Sequence, residues 1–237
     1  MGAALGWGAL AASSLVIGVW LAFVRSWSPA LIGLVLAFGA GALISAVSLE
    51  LVEDGLRLGS GGAVATGLAL GALTYFTADG LLARRDKSAP GKSGGGSGTS
   101  LALGSFLDGV PEQAVLGIGL VGQPVSVALL VAIFVSNLPE GIGSAIDMQA
   151  GGMARKRIIR LFLVVGLVCT LSTVLGYAIA DAVSGDFQAG IEGYAAGALL
   201  VMLIDSMIPE SKEKAGRHAG LVAVVGFAVA TALSTVS

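Results

Sequence analysis

Long apolar runs separated by short polar connections constrain this chain more than any other feature. Eight can be marked, at about 3–24, 30–52, 62–83, 100–121, 125–147, 159–181, 188–208 and 218–236. Each holds about 19–23 residues, enough at about 1.5 Å per helical residue to cross a hydrocarbon core of about 30 Å. Inside lipid the backbone has no water to bond, so only helices and closed barrels can span it. Barrel strands alternate apolar and polar positions over about ten residues, and these runs show no such alternation. Charge agrees: 12% of the chain is Asp, Glu, Lys or Arg, where a soluble domain carries about 25%. The sequence therefore predicts an all-α polytopic protein, one transmembrane domain of eight helices over residues 1–237.

The basic residues orient it. The odd-numbered connections hold Arg25, then Arg84, Arg85, Lys87 and Lys92, then Arg155, Lys156, Arg157 and Arg160, then Lys212, Lys214 and Arg217. The even-numbered ones hold only Arg57. The positive-inside rule then puts the odd connections in the cytoplasm and both termini outside a cell membrane. No basic segment precedes the first run, which reads as a permanent span rather than a cleaved signal. Residues 84–99, ending in a Gly/Ser-rich stretch without histidine, are expected to form a flexible cytoplasmic loop. The balance of 13 basic and 15 acidic residues gives no reason to expect a nucleic-acid partner. Cys169 has no second cysteine to pair with, and His218, among polar residues, reads as a solvated loop residue.

The chemistry concentrates in two stretches, Asp108-Gly-Val-Pro111-Glu112 and Ser136-Asn137-Leu-Pro139-Glu140. A carboxylate near mid-bilayer costs about 2.5–3.5 kcal/mol on insertion scales, which marks it as functional by default. The neighbouring proline leaves a helix carbonyl without its usual donor. Counted from opposite ends of the fourth and fifth runs, both stretches reach similar depth. Asp108 and Glu112 are four apart, as are Ser136 and Glu140, so each set shares a helix face. Glu50, Asp79, Asp147 and Asp205 lie nearer run ends, and no Lys or Arg lies deep in any run. Unpaired buried carboxylates take up protons or bind a cation. The candidate metal ligands are Asp108, Glu112, Ser136, Asn137 and Glu140, whereas Met148, Met153, Met202 and Met207 read as packing.

An internal echo is also present. Phe38-Gly-Ala-Gly41-Ala-Leu43-Ile is similar to Tyr194-Ala-Ala-Gly197-Ala-Leu199-Leu, at a constant offset, and both run on to acidic ends. By the topology above the two segments point in opposite directions, which suits an inverted repeat with a site at the repeat interface.

Asn137-Leu138-Pro139-Glu140-Gly141, Pro111-Glu112 after a polar position, and Ile208-Pro209-Glu210-Ser211 before a basic turn resemble the ZIP (Zrt/Irt-like) divalent metal transporters. The resemblance implies a bundle of three, two and three helices with a binuclear metal site between the fourth and fifth. The departures are specific. Asp108 stands where the family has histidine, Gly109 where it has asparagine, and Gln113 where it has glycine. Thr173-Val174 stands where the sixth span often offers Glu-Pro. Glu112, Asn137 and Glu140 carry over directly, Asp108 as a substituted ligand and Ser136 more weakly.

The resulting expectation is a carrier moving a divalent cation into the cytoplasm. The resemblance favours zinc, with iron and manganese as alternatives, although an all-oxygen ligand set suits harder ions better. A non-transporting relative, acting as a metal sensor or structural membrane partner, is the competing reading. No enzyme is expected: Gly141-Ile-Gly143-Ser144 has no histidine in a span core to act as its base. Family resemblance and Gly67-x-x-x-Gly71 point to a homodimer.

Overall fold

The computed structural model describes residues 1–87, 98–122 and 125–235, and every regular element in them is helical. The rods are α1 (Gly2–Val24), α2 (Pro29–Leu58), α3 (Gly61–Lys87) and α4 (Gly98–Ile118). They continue as α5 (Val127–Ala150), α6 (Arg155–Asp181), α7 (Asp186–Ala215) and α8 (His218–Ser234). Six are long and apolar enough to cross a membrane: α1, α2, the Gly61–Leu81 part of α3, α5, α6 and α7. The chain is a multi-pass helical membrane bundle. Length and apolarity do not extend to all eight expected spans, because α4 gives positions to Asp108, Glu112 and Gln113 and α8 has 17 residues. Residues 84–87 continue α3 and 98–99 begin α4; the remainder of the expected loop, 88–97, lies outside the described residues.

Helix starts follow local chemistry. Ser28 Oγ accepts from Leu31 N at 3.2 Å with Pro29 opening α2, and Ser126 Oγ accepts from Leu129 N at 3.0 Å at the start of α5. Polarity is inverted relative to a soluble protein. Leu163, Leu167, Leu171 and Leu175 form a stripe along α6 that is 52–60% exposed, as expected of a face that meets acyl chains. Ser14, Ser45, Ser105, Gln113, Thr173 and Glu192 are buried inside the bundle.

Glycine decides how closely the rods approach. Gly41 of α2 lies against the Ala223 carbonyl of α8, and Gly226 of α8 against the Phe38 carbonyl of α2. Gly197 of α7 lies against Leu68 O of α3, and Gly71 of α3 against Tyr194 O of α7. Two further crossings repeat this reciprocity: Gly18 with Gly141 where α1 meets α5, and Gly117 with Gly176 where α4 meets α6. At each point a Cβ would occupy the space of a backbone oxygen. Without one, the helices approach to Cα–H···O distance, the small-residue packing that substitutes for a hydrophobic drive in lipid. Gly67 and Gly71 both face α7 within the chain, so this motif is already occupied and leaves the homodimer without a sequence argument of its own.

The echo in the sequence has a structural counterpart. Phe38 and Gly41 make the α2–α8 crossing as Tyr194 and Gly197 make the α7–α3 crossing. A π-helical turn interrupts α2 at Val47–Val52 and α7 at Leu203–Met207, and Val47 and Leu203 stand as far apart in sequence as Phe38 and Tyr194. Each rod then continues beyond its predicted end, α2 to Leu58 rather than 52 and α7 to Ala215 rather than 208. Polar residues build both extensions, which is why an apolar run alone did not predict them. Among them are exposed ion pairs from Arg57 to Glu53 at 2.5 Å and to Asp54 at 3.6 Å.

Candidate cation site between α4 and α5

The fourth and fifth helices meet through their proline-containing stretches. Pro111 and Pro139 both lie inside helices, each removing one backbone donor. Ser136 Oγ on α5 shares its one proton between Glu112 Oε1 on α4 at 3.4 Å and its own Ile133 carbonyl at 3.0 Å. Glu112, Ser136 and Asn137 are all buried, at 1%, 0% and 0% exposure. Asp108 and Glu140 are each partly buried. Asp108 and Glu112 both lie within electrostatic reach of Glu140, whose carboxylate also sits beside Ser105. α2 closes the far side, where Gly39 lies against Ser136, its absent Cβ 2.8 Å from the Ser136 Cα.

Five of the six buried side-chain polar atoms without a hydrogen-bond partner, among the described residues, belong to this pair of helices. They are Glu112 Oε2, Gln113 Nε2, both amide atoms of Asn137, and Glu140 Oε1; the sixth is Glu50 Oε2. Each such atom costs about 1–3 kcal/mol of desolvation, and buried polar groups are otherwise almost always satisfied. Ion pairs do not relieve them. Among the described residues, no Lys or Arg pairs with Asp108, Glu112 or Glu140, and Lys214 bonds Glu210 at 2.5 Å instead.

The five candidate ligands do not all face one point. Asp108 accepts a hydrogen bond from the hydroxyl of Tyr75, a buried residue of α3. Among the described residues, no three His, Cys, Asp or Glu side chains converge as they would around a metal ion. Glu112, Ser136 and Asn137 are brought together in the interior, with Glu140 a turn along α5; Asp108 is turned toward α3. Of the acids expected near run ends, Asp147 and Asp205 are exposed and Asp79 is partly buried. His218 is exposed at the first residue of α8.

The substitutions at motif positions have local reasons. Cys169 of α6 packs against Gly109, its Sγ 2.8 Å from where a Cβ would stand, so a larger residue at 109 would collide with it. Gln113 turns away from α5: its Oε1 accepts from Thr173 Oγ1 on α6 at 2.8 Å. Position 173 therefore serves a buried amide where a carboxylate was the alternative. Tyr75 and Glu192 are buried polar residues without a motif, and Glu50 is more enclosed than its place near a run end suggests. Tyr75 gave no signal except an aromatic residue in an apolar run. Glu192, 5% exposed on α7, is an acid inside the seventh run. Glu50 was placed near a run end, yet Ser234 Oγ of α8 donates to its Oε1 at 3.0 Å and its Oε2 is buried and unpartnered.

No protein-family model matches the chain. A search of curated proteins finds an Arabidopsis thaliana protein named "Putative zinc transporter", 29% identical over 220 residues. That alignment takes in 90% of this chain but 35% of the plant protein, so the chain spans about a third of the length of the curated relative it matches. What the chain is similar to, over nearly its whole length, is part of a larger plant protein that bears the name of a zinc transporter.

Proposed function

We propose that the chain is a membrane carrier that moves a divalent metal cation into the cytoplasm through a carboxylate-lined site between α4 and α5. The observation that supports this best is the set of unpartnered buried atoms on Glu112, Asn137 and Glu140. They sit in a helical membrane bundle with no basic side chain among the described residues paired to them. A dehydrated divalent cation would satisfy these oxygens together, with Ser136 beside them and Asp108 within reach. Glutamine would have filled the same space at lower cost had the role been structural. Zinc is the leading substrate by the similarity to a plant protein of that name; iron and manganese are the alternatives, and the all-oxygen donor set favours manganese among them.

The transport geometry belongs to the same proposal. All eight rods would cross the membrane, with α1–α3 and α6–α8 as inverted halves around α4 and α5, and both termini outside. The paired glycine crossings and the two π-turns support this arrangement. Alternating access would come from one half rocking on the other about the central pair. Uptake of zinc, manganese and iron into proteoliposomes tests the reading, with Glu112→Ala and Glu140→Ala as controls. Wild-type rates equal to those of empty vesicles would overturn it. The engagement of Asp108 by Tyr75 favours a second reading, a non-transporting metal sensor. Metal-dependent stabilisation without flux would identify it.

A further inference from the structure

The α3 partner of Asp108 is Tyr75. Its side chain is 3% exposed, and its hydroxyl donates to Asp108 Oδ1 across the α3–α4 contact. Ser206, in the π-turn of α7, lies beside the same hydroxyl. Tyr75 thus connects a candidate ligand on α4 to α3 and to the one irregular turn of α7. Asp108 is on the face of α4 that carries Glu112 four residues later, and it lies within electrostatic reach of both Glu112 and Glu140. Even so, among the described residues no three carboxylates converge.

The tyrosine ring has room to move. It borders an apolar cavity of about 320 Å³ between α3, α4, α6 and α7, which Val110 and Pro111 line on the α4 side. A rotation of the ring toward that space would withdraw the hydroxyl. The proline at position 111 has already removed one backbone hydrogen bond from the α4 turn that carries Asp108.

We propose that Tyr75 is a positioning residue for cation capture: its hydroxyl holds Asp108 away from Glu112 and Glu140, and a bound divalent cation draws Asp108 out of that bond. The inference rests on the α4–α5 site proposed above. A cation that takes Asp108 Oδ1 competes with the tyrosine O–H for that oxygen, so the tyrosine weakens binding and makes it reversible. A hydrogen bond to a charged acceptor is worth enough for its loss to change an equilibrium about tenfold or more.

The test uses the full chain in lipid nanodiscs and Zn2+ itself as the probe, titrated calorimetrically. The variants are Tyr75→Phe, Asp108→Asn, the two combined, and Glu112→Gln. Tyr75→Phe should tighten Zn2+ binding about tenfold. Asp108→Asn should weaken it, and adding Tyr75→Phe to Asp108→Asn should change nothing further. In proteoliposomes Tyr75→Phe should lower KM and lower the maximal rate together, because the cation is held longer. A merely structural tyrosine would reduce the amount of folded protein without that split. Zn2+ binding abolished by Glu112→Gln but unchanged by Tyr75→Phe would overturn the role of Tyr75 alone. A tightening by Tyr75→Phe that persists in the Asp108→Asn background would do the same. Absence of Zn2+ binding in the wild-type chain would overturn both this inference and the site on which it rests.

Discussion

Thr173 Oγ1 on α6 donates to Gln113 Oε1 on α4 at 2.8 Å, and both side chains are completely buried. The pair occupies two positions where the ZIP resemblance led to an expectation of glycine and of an acid, and here a neutral hydrogen bond joins them. It also ties α6 to the helix that carries Glu112, one residue away. The reciprocal approach of Gly117 and Gly176 makes the same crossing tight.

Thr173→Val keeps the shape of the side chain and removes the hydroxyl. Gln113 Oε1 would then join its Nε2 as a buried atom without a partner, a cost of about 1–3 kcal/mol. At about 2–4 °C per kcal/mol for a chain of this length, the melting temperature should fall by several degrees. Thermal unfolding of the purified protein in detergent measures this. An unchanged midpoint would mean that water already serves Gln113.

Replacing the site glutamates should separate stability from function. Glu112→Gln and Glu140→Gln each replace a carboxyl that has no basic partner with an amide of the same volume. An amide avoids the desolvation or proton-uptake cost that a carboxyl without a cation carries there, so the metal-free variants should be as stable as wild type or more so. Both should lose metal uptake. The wild-type chain should gain stability from Zn2+, by about 2.7 kcal/mol at a hundredfold excess over Kd, and the variants should not. Thermal midpoints with and without Zn2+, beside uptake rates, check both signs.

How much of this was legible in the sequence differs by the kind of residue. Apolar runs located every rod to within a few residues at most ends, because lipid leaves the backbone little alternative to a helix. They failed where helices continue in polar sequence, at the ends of α2 and α7, and they did not reveal the π-turns, whose hydrogen-bond shift leaves no compositional mark. The facing of Glu112 and Ser136 followed from depth and helical spacing, since both lie on short regular segments. The direction of Asp108 did not. Which of two neighbours a carboxylate meets depends on α3, and nothing in residues 108–112 points to Tyr75. Glycine-41 and Glycine-197 stood out as an echo, but their partners could be read only from coordinates, because reciprocal contacts with Ala223 and Leu68 carbonyls join segments far apart in the chain.

That last feature yields the sharpest structural prediction. Gly41→Ala would set a methyl group into the Ala223 carbonyl, and Gly197→Ala would do the same at Leu68. Backbone oxygens cannot rotate aside as a side chain can, so α2 must separate from α8, or α7 from α3. Overpacking of this kind costs about 1–3 kcal/mol. Gly6→Ala and Gly80→Ala provide the comparison: both positions are helical, and no atom lies within 4 Å of an added Cβ. There the substitution removes the flexibility of glycine and should stabilise by up to about 1 kcal/mol. Four single variants, compared by thermal midpoint under one set of detergent conditions, should therefore divide by sign, Gly41 and Gly197 falling and Gly6 and Gly80 level or rising. If all four shifted alike, intrinsic helix propensity would govern these positions, and the close crossings would not hold the bundle together. If Gly41 fell and Gly197 did not, the two crossings would differ in strength despite their matching geometry, and the inverted halves proposed above would lose their best structural support.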